Sequence, residues 1–394
     1  MTTSLPTAKP EDVGLSTPGL ARLSLALQDR IARGHIPGAV AVVARHGKVA
    51  FHQAFGIRDP ATETPMQTDA IFRIYSMTKA IVSVATMMLW EQGRLLLSDP
   101  IGMYLPELAE PRVGVVQGGE MQLAPAERPI TVQDLLRHTS GLTYEFLGAT
   151  PVHKAYNDAK VARLRQTNAD QVTALAKLPL LHQPGTHWAY SRSTDVLGRL
   201  VEVLSEKTLG TFLADHVLQP LGMTDAGFSV PPKDQGRIAE PFRRDPESGV
   251  EVTLLDVKRP AIFESGGGGM VSTAMDYARF AQMLLNGGHL DGTRLLGRKT
   301  VELMTSDHLG DIEDSSNMLP PGHGFGLGFA VRLNAGLAPF PGSVGNYYWG
   351  GAAGTTFWVD PAERLIAVLM IQAPAQREHY RVLFRDLVYA AVTD

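Results

Sequence analysis

Apolar positions recur with two different periods along this chain, and where the period changes marks out the elements. From Pro18 to Arg33 the apolar set Leu20, Leu23, Leu25, Leu27 and Ile31 predicts a helix. A near-continuous apolar run, Gly38 to Ala44, then meets a His46-Gly47 turn and a second run from Lys48 to Phe55, which together predict a β-hairpin. Near the other end, Thr355–Val359 and Leu365–Ile371 flank Asp360-Pro361 as a second hairpin, and a closing helix runs from about Gln376 to Val392. The sequence between reads as mostly helical. An unusually apolar run, Ala80 to Trp90, stops at Gly93, a natural C-terminal cap. Ile130–Leu136 predicts a short capped helix, and Thr194–Glu206, Leu209–Leu218 and Ala274–Leu285 predict further amphipathic helices. Pro111–Arg128 and Pro231–Pro260 are polar and rich in Pro and Gly, which predicts long surface loops. Strands at both ends around a helical middle imply an α+β fold: a mixed, mainly antiparallel sheet flanked by helices, with an inserted, mostly helical lobe. Residues 1–95 and 255–394 are expected to form the sheet domain and residues 96–254 the lobe, with the active site between them.

Composition narrows the classes of function. The 394 residues carry a net charge of only −4 and no Lys/Arg stripe, so neither a nucleic-acid nor a membrane partner is expected. With no cysteine, disulfides, thiolate metal sites and cysteine nucleophiles drop out together. Met1 to Val13 is polar and includes Glu11 and Asp12, unlike a signal peptide, and no apolar run approaches the ~20 residues that span a bilayer. A cytoplasmic location is the expectation. The 12 histidines come without H-E-x-x-H, and no G-x-S-x-G elbow occurs, so no metal and no His-based triad is expected. Gly266–Gly269 lacks the Gly-Lys-Ser/Thr of a phosphate loop and reads as a tight loop near the pocket.

The chemistry begins at Ser76-Met77-Thr78-Lys79, which opens the apolar helical run. Positions i and i+3 share a helix face, so the Lys79 amine can hang beside the Ser76 hydroxyl. There the helix dipole favours negative charge on the oxygen and a neighbouring base can take its proton. By itself the pair reads equally as a helix cap and a solvated lysine. Tyr190, in Trp188-Ala189-Tyr190-Ser191, offers a phenol that becomes a plausible base beside an ammonium. Trp349-Gly350-Gly351-Ala352 precedes the strand at Thr355, where paired glycines would let substrate approach a strand edge. Tyr144, Phe146, Trp188, Tyr347, Tyr348 and Phe357 flank these motifs as candidate acyl or alcohol contacts, or as core.

In this order, Ser76-x-x-Lys79, Tyr190-Ser191-Arg192 and Trp349-Gly350-Gly351 resemble the serine β-lactamase and penicillin-binding-protein superfamily, and within it the family VIII carboxylesterases. Ile130–Val132, His138–Leu142, Gln183-Pro184-Gly185 and Gly322–Phe329 resemble its landmarks too. The resemblance implies a β-lactamase-like fold and a cofactor-free serine esterase acting on a small ester. Ser76 would be acylated, Lys79 and Tyr190 would share its proton, and the backbone N–H groups of Ser76 and Ala352 would hold the oxyanion. Trp349, Gly350, Gly351, Tyr144, Phe146, Trp188 and Tyr348 would line the substrate site. Two positions depart from the superfamily pattern. Arg192 stands where an Asn is usual, and Trp349 where a Lys or His usually meets a substrate carboxylate. Both departures favour neutral esters, with a β-lactamase or D-amino-acid peptidase, an acyltransferase and a silent binding homologue as the alternatives.

Overall fold

The computed structural model describes residues 4–118 and 120–394. Eight strands form one sheet, all neighbours antiparallel: β1 (Gly38–Arg45), β2 (Lys48–Asp59), β3 (Thr64–Pro65), β4 (His323–Phe325), β5 (Ala330–Arg332), β6 (Tyr347–Gly350), β7 (Thr356–Asp360) and β8 (Leu365–Ile371). Their order is β4-β5-β6-β7-β8-β1-β2-β3, so the two terminal segments meet where β8 pairs with β1, Val42 opposite Val368. The central strands are buried on both faces, which is why β1 and β8 read as continuous apolar runs rather than alternating ones. Alternate side chains still go to opposite cores. Leu365, Ala367, Leu369 and Ile371 join the core with α1 (Thr17–Ala32) and α6 (Arg377–Tyr389), whereas Ile366, Val368 and Met370 join the larger core with α2 (Thr78–Glu91) and α5 (Ala274–Leu285).

Helix α2 is buried along almost its whole length because it separates the sheet from the helices of the middle segment, α4 (Ser193–Ser205) among them. The short α3 (Val132–Leu136) starts with a capping box in which Thr131 and the wholly buried Asp134 satisfy each other's backbone donors. Arg128 and Arg137 pair with that carboxylate, and hydrogen bonds from Arg128, Thr131 and Thr139 hold it below the usual carboxylate range despite its burial. The chain leaving α3 is thereby fixed as it enters the segment that carries Tyr144.

One expected loop is a different element. Residues 111–128 contain an antiparallel hairpin, Arg112–Gln117 with Glu120–Pro125. Its prolines stand at the ends, Gly118 takes φ +60° at the turn, and the ribbon is anchored by Leu180 N–H donating to Arg112 O and Gly114 N–H donating to Leu180 O. Proline and glycine content signalled a loop there because the ribbon is largely exposed and only Val113 supplies a buried apolar anchor. Among the described residues no helix is long and apolar enough to cross a membrane.

Candidate active site

Ser76 is half-buried in the 3₁₀ turn Tyr75–Met77 that feeds α2, so the regular helix starts two residues later than the serine. Tyr75 adopts a left-handed φ of +44°, a conformation that costs ~1–3 kcal/mol and persists only when its surroundings over-determine it. Here they do. Ile74 N–H donates to Met270 O, Met270 N–H to Thr78 Oγ1, Leu255 N–H to the Tyr75 hydroxyl and the Tyr277 hydroxyl to Met77 O.

Lys79 follows on the first turn of α2 and is buried. Its Nζ donates to Tyr144 Oη at 2.9 Å and to Gly267 O at 2.6 Å, and it lies 4.5 Å from the centre of the Tyr190 ring. Burial disfavours the ammonium, but Tyr144, Tyr190 and the Asp195 carboxylate outweigh it and hold Lys79 above the ordinary lysine value. The Tyr144 hydroxyl, raised chiefly by burial and further by Asp195 against the pull of Lys79, is pushed up to about 12 and stays a neutral phenol near pH 7. Tyr190 has a different partner: Trp349 Nε1–H donates to its oxygen at 3.1 Å. A donor therefore meets the Tyr190 oxygen while the Lys79 ammonium lies over its ring.

The Gly351–Thr355 turn between β6 and β7 carries Ala352, which is exposed, and abuts the strand end at Ile74 through the Thr355 hydroxyl donating to Ile74 O. Among the described residues neither the Ser76 nor the Ala352 backbone N–H is engaged by an internal acceptor.

A second layer holds these groups. Asp195 Oδ1 accepts from Ser265 Oγ at 2.5 Å and from Gly267 N–H at 2.9 Å, which fixes the carbonyl that Lys79 uses. A side chain on Gly267 would collide with Asp195 and the Tyr144 hydroxyl, so the glycine at this position is a requirement of close approach. Arg192 packs its guanidinium 4.6 Å from the Tyr144 ring and pairs with Glu145 at 2.7 Å and Asp195 at 3.5 Å. His138, wholly buried and held well below the usual histidine value by burial and Lys79, shares a hydrogen bond with Ser191 Oγ; Ser191, Ser193 and Ser140 continue the chain and fasten the Tyr144 segment to the Tyr190 segment.

Several sequence expectations change. Trp188 is 0% exposed and packs on Phe325 and Tyr190, so it is core and not a substrate contact. Tyr348 neighbours Trp349 on β6 and so faces the other side of the sheet, where it stacks under Arg385 of α6. Trp349 itself is 7% exposed; it is a hydrogen-bond donor to Tyr190 more than an apolar wall. A side chain on Gly350 would strike the Arg381 guanidinium and one on Gly351 the Ile74 carbonyl, so both glycines answer to the protein's own packing and not to substrate approach. Tyr144 belongs to the Lys79 cluster, and Phe146, 67% exposed, stacks on it at 4.9 Å at the edge of the site. Sequence reasoning missed Asp195 and Glu145; an acid in the first turn of α4 reads as an ordinary helix-dipole partner, and nothing local points to Gly267. A cleft of about 620 Å³, lined by Asn168, Arg199, Glu202 and Glu264 among others, includes none of the cluster; convergence of titratable groups, not concavity, marks the candidate site.

Comparison with known proteins agrees with the motif order. Over residues 23–390 the chain matches the Beta-lactamase family model. It is 38% identical to Protein Rv1367c of Mycobacterium tuberculosis, covering 86% of each chain, and 33% identical to Esterase EstB of Burkholderia gladioli, covering 94% of this chain and 95% of that one. Among solved structures it is similar to EstCE1, a hydrolase with promiscuous acyltransferase activity, at 28% identity and a TM-score of 0.80, covering 94% of this chain and 99% of that one. With its match to the family model spanning nearly its whole length, the chain belongs to the beta-lactamase family, on the side of the family VIII esterase-like serine hydrolases.

Proposed function

We propose that this protein is a serine carboxylesterase that hydrolyses small, neutral, short-chain esters through an acyl-enzyme on Ser76. The observation that carries this reading is the buried Lys79 ammonium held between Tyr144, Gly267 and the Tyr190 ring, with the Trp349 N–H on the Tyr190 oxygen. In the proposed mechanism Tyr190 acts as a phenolate whose charge the Lys79 ammonium balances, and it takes the Ser76 proton while Oγ attacks the ester carbonyl. The N–H groups of Ser76 and Ala352 stabilise the oxyanion. Collapse of the tetrahedral species breaks the C–O bond and returns the proton to the departing alcohol. Water then repeats the sequence on the acyl-enzyme, releases the acid and restores Ser76.

The preference for neutral substrates is supported by where the arginines are committed. Arg192 is engaged by Glu145 and Asp195, and Arg381 by Gly351 O and Glu378, so neither is free to meet a substrate carboxylate. The residue at 349 is an indole. Burying an unpaired carboxylate costs several kcal/mol. The similarity to EstCE1 and to Esterase EstB supports ester chemistry, and the former favours acyl transfer to an alcohol as a second reading. A fluorophosphonate should label Ser76 alone, and Ser76→Ala should abolish turnover of p-nitrophenyl butyrate. kcat/KM for that ester should exceed the value for a penicillin by ~10³ or more, the scale of an unpaired buried charge. Labelling elsewhere, or comparable values for the two substrates, refutes the reading; added alcohol that diverts product to a new ester establishes transfer.

A further inference from the structure

Six arginines of the described chain are almost wholly buried: Arg45, Arg73, Arg192, Arg279, Arg332 and Arg385. Five have acceptors. Arg45 pairs with Glu363, Arg73 with Glu240, Arg192 with Glu145 and Arg279 with Asp291, while Arg332 donates to the carbonyls of Asn334, Ala335 and Phe340. Arg385, on α6 and 5% exposed, is the exception. Its guanidinium carbon lies 4.4 Å from the centre of the Tyr348 ring, 4.9 Å from Phe340 and 5.0 Å from Trp358. Aromatic faces attract the cation, but its five N–H donors point outward in the guanidinium plane, and faces do not satisfy them. Nη1 is enclosed and has no hydrogen-bond partner among the described residues, and neither has the buried hydroxyl of Tyr348, whose ring the guanidinium covers.

Two of the nearby carboxylates are committed elsewhere, and Asp386 Oδ1 has no hydrogen-bond partner among the described residues. Asp360 accepts from the Tyr389 hydroxyl at 2.6 Å and from Ser343 N–H at 3.0 Å, and Glu378 pairs with Arg377 and Arg381. Asp386 makes no ion pair with Arg385 among the described residues. Arg332 and Arg381 add further positive charge around the same tyrosine. An unpaired buried charge is strongly unfavourable, and a guanidinium over a phenol whose O–H also lacks an acceptor supplies two kinds of donor for an anion. We propose that Arg385 and Tyr348 bind a small monovalent anion, a halide or a carboxylate, behind the strand that carries Trp349. The ion would join α6 to β6 on the face opposite the Ser76 cluster. Its effect is then on the rigidity of the strand that carries Trp349 and leads into the Ala352 turn, and not on the chemistry itself.

Crystals of the wild-type protein soaked in sodium bromide should give an anomalous peak within hydrogen-bonding distance of the Arg385 guanidinium, and acetate should displace it if the site also takes carboxylates. In solution the melting temperature should rise with bromide and saturate, by about 2 °C at ten times the dissociation constant for a chain of this length. Arg385→Met keeps the aliphatic stem against the rings and should lose the saturable rise; Tyr348→Phe should weaken it. Displacement by acetate assigns the site to carboxylates as well, and persistence of the bromide peak in acetate restricts it to halides. Absence of both a bromide and an acetate feature beside Arg385 overturns the proposal, whatever the variants do. So does a bromide response of Tm that is identical in the wild type and in a folded Arg385→Met.

Discussion

Replacing Trp349 by Phe separates the two roles this residue could have. Phenylalanine keeps an aromatic ring against Phe325 and Tyr190, whose rings lie 5.4 and 5.2 Å from the indole, but removes the N–H that donates to Tyr190 Oη at 3.1 Å. A hydrogen bond to a charged group contributes ~1.5–3 kcal/mol. If it stabilises the Tyr190 phenolate that is to take the Ser76 proton, kcat/KM should fall roughly 10- to 150-fold, since each ~1.4 kcal/mol is tenfold. The loss should fall on kcat with KM nearly unchanged, because fewer enzyme molecules, free or substrate-bound, would carry Tyr190 as the phenolate that accepts the proton. An apolar-wall role predicts the opposite division, a modest rise in KM with kcat nearly intact. Initial rates with p-nitrophenyl butyrate, fitted for kcat and KM separately, distinguish the two. Trp349 is nearly buried, so the smaller ring also costs stability, and melting curves must show both proteins folded at the assay temperature. The sharper test is a double-mutant cycle with Tyr190→Phe. In that background the Trp349 donor has no oxygen to serve, and Trp349→Phe should cost almost nothing. Equal losses in the two backgrounds would refute the coupling.

Asp195→Asn retains an oxygen that can accept from Ser265 and Gly267 N–H but removes the charge that helps hold Lys79 as an ammonium. Lys79, with its value raised in the wild type, keeps its proton to higher pH; the alkaline fall of kcat/KM should therefore begin at lower pH in the variant, and coincident limbs would exclude this role for Asp195. His182 is pushed down to about 4 by burial and by His187 and His153, the first of which stacks on it at 4.1 Å. The unfolded chain binds that proton near pH 6.5, so the stability contribution is complete above 6.5 and is lost as pH falls towards 4. His182→Asn should flatten the decline of melting temperature across that window, and an unchanged slope would exclude His182 as its source.

The sequence alone determined the elements and the order of the chemistry. Apolar runs bounded by turn residues located both hairpins, because strands buried on two faces have little choice but Val, Ile, Leu and Ala. Ser76-x-x-Lys79, Tyr190 and Trp349-Gly350-Gly351 were legible because each is a local pattern at a predicted element boundary. The exposed ribbon at 112–125 was not, since an element with a single buried anchor has almost no apolar period to read. Nor could spacing say which way neighbouring aromatics face: Tyr348 and Trp349 adjoin in sequence, yet the pleat sends one to Arg385 and the other to Tyr190. Tertiary structure alone decided the partners of Lys79. Tyr144 lies 65 residues away and Gly267 188, and Asp195 holds the carbonyl of Gly267, a position with no room for a side chain. Long-range contacts of this kind depend on how α2, α4 and the sheet pack together, and burial, not local order, makes a hydrogen bond to a lysine strong enough to set its charge.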